Sequence, residues 1–196
     1  MFLIVGLGNV GDEFEGSRHN AGFVVVDELS NRWHIPLRTI KYQSFFGKGV
    51  VKKNGIVQNV VLSKPLTYMN LSGRAVKPLR DAFNLPDDNI IVVHDDLDLP
   101  LGTVRVKKGG GDGGHKGLYS IISLIGPSFI RVRVGIGRPE SKEDVVDYVL
   151  SKFGKNELPV FNESVIDAAD AVEDIIFFGL ERAQNIFNRK KRDVSD

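Results

Sequence analysis

The chain contains four histidines and no cysteine, so nitrogen and oxygen groups must supply any catalytic chemistry. The lack of cysteine excludes a thiol nucleophile, disulfides and thiolate zinc sites. No histidine lies in a metal-ligand spacing such as H-E-x-x-H, and no G-x-S-x-G sequence marks a serine nucleophile. The chemistry that remains is a histidine acting as a general base on water, with no metal and no cofactor. The four histidines are His19, His34, His94 and His115.

His19 is the candidate base, because it lies in a polar turn between a buried strand and a helix. Asp95 comes at the end of another buried strand, and neighbouring strand ends would bring the two side chains together. A carboxylate on one imidazole nitrogen fixes the tautomer and stabilises the imidazolium that forms during proton transfer. His94, the alternate residue of the same strand, is expected to point into the core.

Two glycine-rich segments are candidate ligand loops. Gly6–Gly11 matches the dinucleotide-binding pattern G-x-G-x-x-G, but helical periodicity begins only at Ala21 and no acidic strand end follows at the expected distance. A dinucleotide-dependent oxidoreductase is therefore the weaker interpretation of this motif. Gly109–Gly114 lacks the Lys-Ser/Thr ending of a P-loop. It is either a flexible surface loop or a gate that approaches a ligand closely.

Strand and helix patterns alternate along the chain and predict an α/β protein. Apolar runs or alternation predict strands over 2–5, 89–93, 104–107 and 131–134, and Asn54-Gly55 predicts a hairpin joining 45–52 to 56–62. Helical periodicity predicts helices over 21–33 and 72–83, and one long helix over 163–187 that continues through Gly179. Without repeats or a linker, residues 1–196 are expected to form a single domain.

Basic residues are concentrated in one part of a chain whose net charge is only +1. Between Arg105 and Arg138 there are seven basic residues and one acidic residue. In 104–107 and 131–134 the basic side chains alternate with valine, so each strand presents them on one face. Two such strands predict a cationic platform for a polyanion, although solvated surface charge is the alternative. A basic tail, Arg189 to Arg192, follows the last helix.

The N-terminal apolar stretch is too short for a signal peptide, and no run approaches the roughly 18 residues of a membrane span. We expect a cytoplasmic protein that does not associate with membranes.

Several ordered sequence blocks resemble bacterial peptidyl-tRNA hydrolase, and together they cover nearly the whole chain. The resemblance implies a single α/β domain with a twisted mixed β-sheet wrapped by helices. It also implies an enzyme that cleaves the ester between a peptide and the 3′ end of tRNA, acting as a monomer during ribosome rescue. The blocks are Gly6–Asn9, Ser17–Gly22, Lys64–Gly73, His94–Gly102, Gly113–Leu118, Arg133–Pro139 and Tyr148–Leu150.

By this resemblance, His19 is the catalytic base and Asp95 the carboxylate that keeps it basic. Asn9 matches the residue that recognises the acylated α-nitrogen, whereas free aminoacyl-tRNA carries an ammonium there. Asn70 matches a substrate-holding asparagine that is suited to orient the ester or to donate to the oxyanion. The resemblance also implies that the cleft is lined by Phe14, Tyr68 and Met69.

Arg105, Lys107 and Arg133 fall where the family places basic residues that grip the tRNA 5′-phosphate region. The chain departs from the family pattern at several positions. Phe14 stands where tyrosine is usual, and Lys116 stands where asparagine is usual near the tRNA 3′ end. Lysine could contact a phosphate there or point into solvent. The main alternative function is a noncatalytic RNA-binding relative of the same fold, similar to a chloroplast intron splicing factor.

Overall fold

Seven strands form one mixed β-sheet in the computed structural model, which describes residues 1–189. The strands are β1 (Phe2–Gly6), β2 (Thr39–Lys41), β3 (Ser44–Lys53), β4 (Ile56–Pro65), β5 (Ile90–Asp96), β6 (Val104–Lys108) and β7 (Ile130–Gly135). Their order across the sheet is β2-β3-β4-β1-β5-β7-β6. The four central strands β4, β1, β5 and β7 are parallel, and β2, β3 and β6 pair antiparallel at the two sides.

Helices cover both faces of the sheet. They are α1 (Ala21–Trp33), α2 (Gly73–Ala82), α3 (Lys116–Ile125), α4 (Val145–Leu150), α5 (Leu158–Phe178) and α6 (Leu180–Phe187). The core between α1, α5, α6 and the sheet includes Ile4, Val93 and Val132, and the core beneath α2 and α3 includes Leu3 and Val92. Successive residues of each strand therefore face opposite cores, and the parallel sheet is buried on both faces. The predicted α/β fold with a mixed sheet and surrounding helices is confirmed.

The carboxyl ends of β1, β4, β5 and β7 lie at one edge of the sheet because these strands are parallel. The central strand β1 lies between β4 and β5. After β1 the chain continues to β2 at one side of the sheet, and after β5 it continues to β6 at the other side. Clefts of open α/β sheets form at such an edge. The loops that follow these strands therefore bring together residues that are far apart in the sequence.

The predicted single helix over 163–187 is wrong, because the chain forms α5 and α6 with Gly179 between them. Gly179 has a φ of 94° and closes α5 through a hydrogen bond from its N–H to the carbonyl of Ile175. A residue with a positive φ ends a helix, and glycine adopts it without steric cost. Most of the predicted basic tail, from residue 190 onward, lies outside the described residues.

The predicted hairpin is confirmed, with Asn54 and Gly55 at positive φ between β3 and β4. Strand β2 and helix α4 were not predicted, because each is short and has little apolar periodicity. Within residues 1–189, none of the helices has both the length and the apolar character needed to cross a bilayer.

Candidate active site

One cleft of about 660 Å³ opens at the carboxyl edge of the sheet. Its walls come from the loops after β1 and β4, the end of β5, the glycine-rich loop before α3, and α4. Arg105 is the one predicted site residue outside this lining. The predicted residues that border the cleft are Asn9, Phe14, His19, Tyr68, Met69, Asn70, Asp95, Lys107, Lys116 and Arg133.

His19 is held in a short 3-10 turn, Arg18–Asn20, directly before α1. Helix α1 packs unusually close to the sheet, since a Cβ on Gly22 would lie 2.3 Å from the carbonyl of Val93 and 2.4 Å from the backbone nitrogen of Leu7. Glycine is required for such a close backbone approach. The start of α1 therefore brings the turn containing His19 against the end of β5.

Nδ1 of His19 lies 2.9 and 3.0 Å from the two carboxylate oxygens of Asp95. Asp95 is almost completely buried, and burial alone would raise the pKa of its carboxyl group. The facing His19 and His115 outweigh burial and hold the pKa of Asp95 well below its usual range. Because an ionised carboxylate only accepts hydrogen bonds, Nδ1 of His19 donates. Its Nε2 atom then has a free lone pair, with no hydrogen-bond partner in residues 1–189.

His115, for which no sequence pattern predicted a role, is a second histidine bound to Asp95. Its Nε2 atom lies 2.8 Å from Oδ1 of Asp95. Its Nδ1 atom accepts hydrogen bonds from the backbone N–H groups of Gly117 at 3.1 Å and Leu118 at 3.4 Å, so His115 caps the N-terminus of α3. Nδ1 must therefore carry the lone pair and Nε2 the proton.

His19, Asp95 and His115 together offer a carboxylate oxygen and two imidazole nitrogens within 4.8 Å of one another, a set that could hold a metal ion. For His115 to ligate through Nε2, that atom would have to lose its proton and Nδ1 would have to gain one. A proton on Nδ1 would face the two backbone N–H donors of α3. The capping geometry therefore favours a hydrogen-bonded cluster over metal ligation.

His94 is buried, as predicted, and forms part of the same cluster. Its Nδ1 atom lies 2.7 Å from the carbonyl oxygen of Asp95, and its ring makes an edge contact with His115 at 5.2 Å. Burial, with a further contribution from His115, lowers the pKa of His94 to about 3. His94 therefore remains neutral at physiological pH.

Asn9 is buried and oriented by contacts from two neighbouring loops. Asn20 holds its backbone through two hydrogen bonds, from Asn9 N–H to Oδ1 at 2.8 Å and from Nδ2 to the carbonyl of Asn9 at 3.0 Å. Oδ1 of Asn9 accepts the N–H of Met69 at 2.8 Å. Because the oxygen is used in this way, Asn9 presents its NH₂ group, a pure donor, to the cleft.

The cleft has an apolar rim on either side of this polar floor. Tyr68 is 66% exposed and Phe14 half-buried on one side, whereas Met69 is buried beneath them. On the other side α4 presents Val146 and Leu150, both exposed. Such a rim can hold side chains of varied shape by apolar contact.

The basic strands β6 and β7 pair so that Arg105 lies opposite Arg133 and Lys107 opposite Arg131. These four side chains share one sheet face, but their surroundings differ. Arg105 donates to the carbonyl of Phe187 at the end of α6. Arg133 donates to Asp96 at 2.7 Å and borders the cleft with the exposed Lys107.

Arg131 is buried and holds the glycine-rich loop in place. Its guanidinium donates to the carbonyls of Gly110 and Gly111 and lies 4.8 Å from the centre of the Phe129 ring. Burial and the nearby positive charge of Arg133 lower the pKa of Arg131, and the weaker opposing effects of Asp112 and Asp96 do not offset them. The predicted platform thus contains one arginine that is used internally rather than exposed to a ligand.

Lys116 is exposed, borders the cleft and is the first residue of α3. A positive charge at a helix N-terminus opposes the helix dipole. Lys116 is therefore not explained by helix stability.

Sequence reasoning missed His115, Arg131 and Asn20 as residues that orient the site. The Gly113-Gly114-His115 segment before α3 carried a signal for His115, since a side-chain acceptor just before a helix is typical of an N-cap. Strand alternation placed Arg131 in the cationic platform, and no local pattern indicated its contacts with the glycine-rich loop or those of Asn20, because their partners belong to other loops.

The fold and the site define an α/β protein of the hydrolase class. The cleft combines a histidine that has one free nitrogen, a buried carboxylate that fixes its tautomer, and amide donors.

Comparison with known proteins identifies the family of hydrolases to which the chain is similar. A model of the family Peptidyl-tRNA hydrolase matches residues 3–195. The peptidyl-tRNA hydrolase of Geobacillus thermodenitrificans is 48% identical over 189 residues, covering 96% of this chain and 100% of that protein. The one from Bacillus pumilus is 45% identical over 191 residues, covering 97% and 100%. The crystal structure of peptidyl-tRNA hydrolase from Acinetobacter baumannii is 40% identical, with a TM-score of 0.90 over 97% of this chain and 96% of that one.

The chain belongs to the peptidyl-tRNA hydrolase family. This membership confirms the resemblance found in the sequence and makes the chain a hydrolase. The noncatalytic splicing-factor interpretation is not favoured, because the relatives and structures reported above are named as hydrolases.

Proposed function

We propose that the chain hydrolyses the ester between a peptide, or an N-blocked aminoacyl group, and the 3′-terminal ribose of tRNA, using His19 as a general base on water. One observation carries this proposal: Asp95 binds Nδ1 of His19 and leaves Nε2 free at the floor of the cleft. The proposed reaction needs no metal and no cofactor.

In the first step Nε2 of His19 takes a proton from water, and the resulting hydroxide attacks the ester carbon. Asp95 stabilises the imidazolium that forms. The side chain of Asn70, exposed at the cleft, donates to the oxyanion of the tetrahedral intermediate. The intermediate then expels the ribose oxygen, which takes the proton back from His19. The products are a peptide acid and tRNA.

Asn9 supplies the discrimination between peptidyl-tRNA and free aminoacyl-tRNA. Its NH₂ group can donate to a carbonyl oxygen of the first peptide group, because its oxygen is occupied by Met69. A free aminoacyl group offers an ammonium instead, which is also a pure donor. An unmatched polar group costs roughly 1–3 kcal/mol, enough for a selectivity of about 5- to 150-fold.

The remaining cleft residues bind the two parts of the substrate. Phe14, Tyr68 and Met69 contact the peptide or the terminal base, since the rim they form is apolar. Lys107, Arg133 and Arg105 bind tRNA phosphates from the face of β6 and β7, and Lys116 binds near the single-stranded 3′ end. We propose that the chain works as a single-domain monomer in the cytoplasm.

The direct test compares hydrolysis of N-acetyl-aminoacyl-tRNA with that of the same aminoacyl-tRNA unblocked, with and without EDTA. We expect cleavage of the blocked substrate, slow cleavage of the free one, and no effect of chelation. Loss of activity in EDTA that a divalent ion restores would refute the metal-free reaction. Binding of tRNA without any cleavage would instead support a noncatalytic role.

A further inference from the structure

We propose that His115 is a positioning residue whose tautomer is locked by α3 and which, in that form, orients the Asp95 carboxylate toward His19. The proposal concerns orientation within the proposed hydrolase reaction and rests on that proposed function. It gives His115 two separable contacts, one to the backbone of α3 and one to Asp95.

The lock follows from the backbone donors at the N-terminus of α3. The N–H groups of Gly117 and Leu118 both point at Nδ1 of His115, so this atom must accept. A neutral imidazole has one donor and one acceptor nitrogen, so Nε2 must donate. Protonating Nδ1 would place three N–H donors together at the positive end of a helix. His115 is therefore held as a neutral donor to Asp95.

The locked donor restricts how the Asp95 carboxylate can rotate. Its Oδ1 atom is held 2.8 Å from Nε2 of His115, while Nδ1 of His19 lies 2.9 Å from Oδ2 and 3.0 Å from Oδ1. The two imidazole rings contact each other with centroids 4.9 Å apart. The side chains of His19, Asp95 and His115 are only 11%, 2% and 10% exposed, so water does not compete strongly for these bonds. Without His115, Oδ1 loses a donor and the carboxylate gains freedom to turn away from His19.

Two substitutions separate the contacts of His115. In His115→Asn, the side-chain oxygen lies near the position of Nδ1 and can still cap α3, but the side chain is too short to reach Asp95. In His115→Gln, the terminal NH₂ group lies near the position of Nε2 and can still donate to Asp95, whereas the cap is lost. His34→Asn is the matched control, because His34 is exposed at the end of α1 and has a φ of 52°, which asparagine tolerates.

We expect His115→Asn to lower kcat roughly 10-fold or more, with KM within about twofold, because a hydrogen bond to a buried charge is lost. His115→Gln should retain most of the turnover but melt a few degrees lower than the wild type, since the helix cap is lost. The control should match the wild type in both measurements. The opposite pattern, an active His115→Asn and an impaired His115→Gln, would show that His115 acts only as a helix cap and would overturn the proposal.

Nitrogen chemical shifts of the imidazole rings test the lock without any substrate. In the wild type we expect the proton of His115 on Nε2 and that of His19 on Nδ1. In His115→Asn the proton of His19 should distribute over both ring nitrogens. A proton on Nδ1 of His115, or an unchanged His19 in the variant, would refute the proposal. Because this measurement does not depend on catalysis, it distinguishes failure of the lock from failure of the proposed hydrolase function.

Discussion

Oδ2 of Asp95 lies 2.9 Å from Nδ1 of His19, and this contact joins the end of β5 to the turn before α1 across 76 positions of the chain. The carboxylate accepts from Nδ1, so the lone pair of Nε2 is directed away from it. The same carboxylate accepts from His115 through its other oxygen. The distribution of hydrogen-bond donors around Asp95 therefore decides which nitrogen of His19 can act as a base.

Asp95→Asn should impair turnover by reversing the tautomer of His19. His115 can only donate, so the amide oxygen of the new asparagine should face His115 and its NH₂ group should face His19. Nδ1 of His19 would then accept, and its proton would move to Nε2, where the base is needed. We expect kcat to fall by roughly 10²- to 10⁴-fold. The measurement is kcat on N-acetyl-aminoacyl-tRNA, and a loss below about fivefold would argue against this role of Asp95.

Asn9→Asp should weaken the preference for blocked substrates. The carboxylate can still accept the N–H of Met69, but it presents negative charge where the amide presented a donor. It therefore repels a peptide carbonyl and attracts an ammonium. The ratio of kcat/KM for N-acetyl-aminoacyl-tRNA over aminoacyl-tRNA should fall by about 5- to 150-fold. Asn59→Asp, at an exposed position of β4, adds the same charge and should leave the ratio unchanged.

The pattern of strand ends predicted the pairing of His19 with Asp95, whereas Asn9 and Asn70 were identified only through the family resemblance. Asn9, Asp95 and Asn70 follow or end strands that run parallel, so strand order alone brings them to one edge. The orientation of their side chains was not predictable. Asn20 and His115 orient them through contacts between loops that are distant in sequence, and local periodicity contains no information on such contacts.

The break between α5 and α6 shows a different limit. Apolar residues keep a helical spacing through Gly179, so periodicity alone predicted one helix. The positive φ of Gly179 interrupts the backbone while the apolar faces on both sides still reach the core, as Ile176 and Ala183 do. A conformation that only glycine adopts easily thus overrides an amphipathic pattern.

Lys116→Asn should reduce the salt dependence of tRNA binding if Lys116 contacts a phosphate of the 3′ end. Each phosphate neutralised on a single strand contributes about 0.7 to the slope of log K against log salt, so the slope should flatten by roughly this amount. Affinity is measured across a salt series on a His19→Ala background, which prevents cleavage. The matched variant Lys52→Asn, in the exposed end of the hairpin at the other edge of the sheet, should leave the slope unchanged. An unchanged slope in Lys116→Asn would mean that Lys116 contacts no phosphate.

Arg18, next to His19, makes stability sensitive to acid. Its buried guanidinium donates to both carboxylate oxygens of Glu157 at 3.1 and 2.8 Å, and these bonds lower the pKa of Glu157. Because the pKa of Glu157 in the folded protein is lower than its ordinary value of 4.5, the carboxylate stabilises the fold at pH values above 4.5. This contribution is lost as the pH falls through the folded-state pKa.

Glu157→Gln should therefore lower the free energy of unfolding at pH 7 by roughly 1 kcal/mol, because the buried Arg18 loses its charged partner while the partial exposure of Glu157 screens the interaction. The difference from the wild type should shrink once the pH falls below the ordinary glutamate range. Denaturant unfolding across this pH range provides the measurement. Glu140→Gln, at an exposed position, is the control. A difference that does not depend on pH would show that the ion pair with Arg18 is not its source.

The most direct test of His19 as the general base is single-turnover cleavage of N-acetyl-aminoacyl-tRNA by His19→Ala, alongside its affinity for the same substrate. His19 supplies the only proposed base, whereas substrate contacts come from other residues of the cleft. We expect the rate of the bound complex to fall by at least the roughly 10²- to 10⁴-fold typical of a lost general base, with affinity changed little. A near-normal rate in this variant would contradict the assignment of His19 as the base.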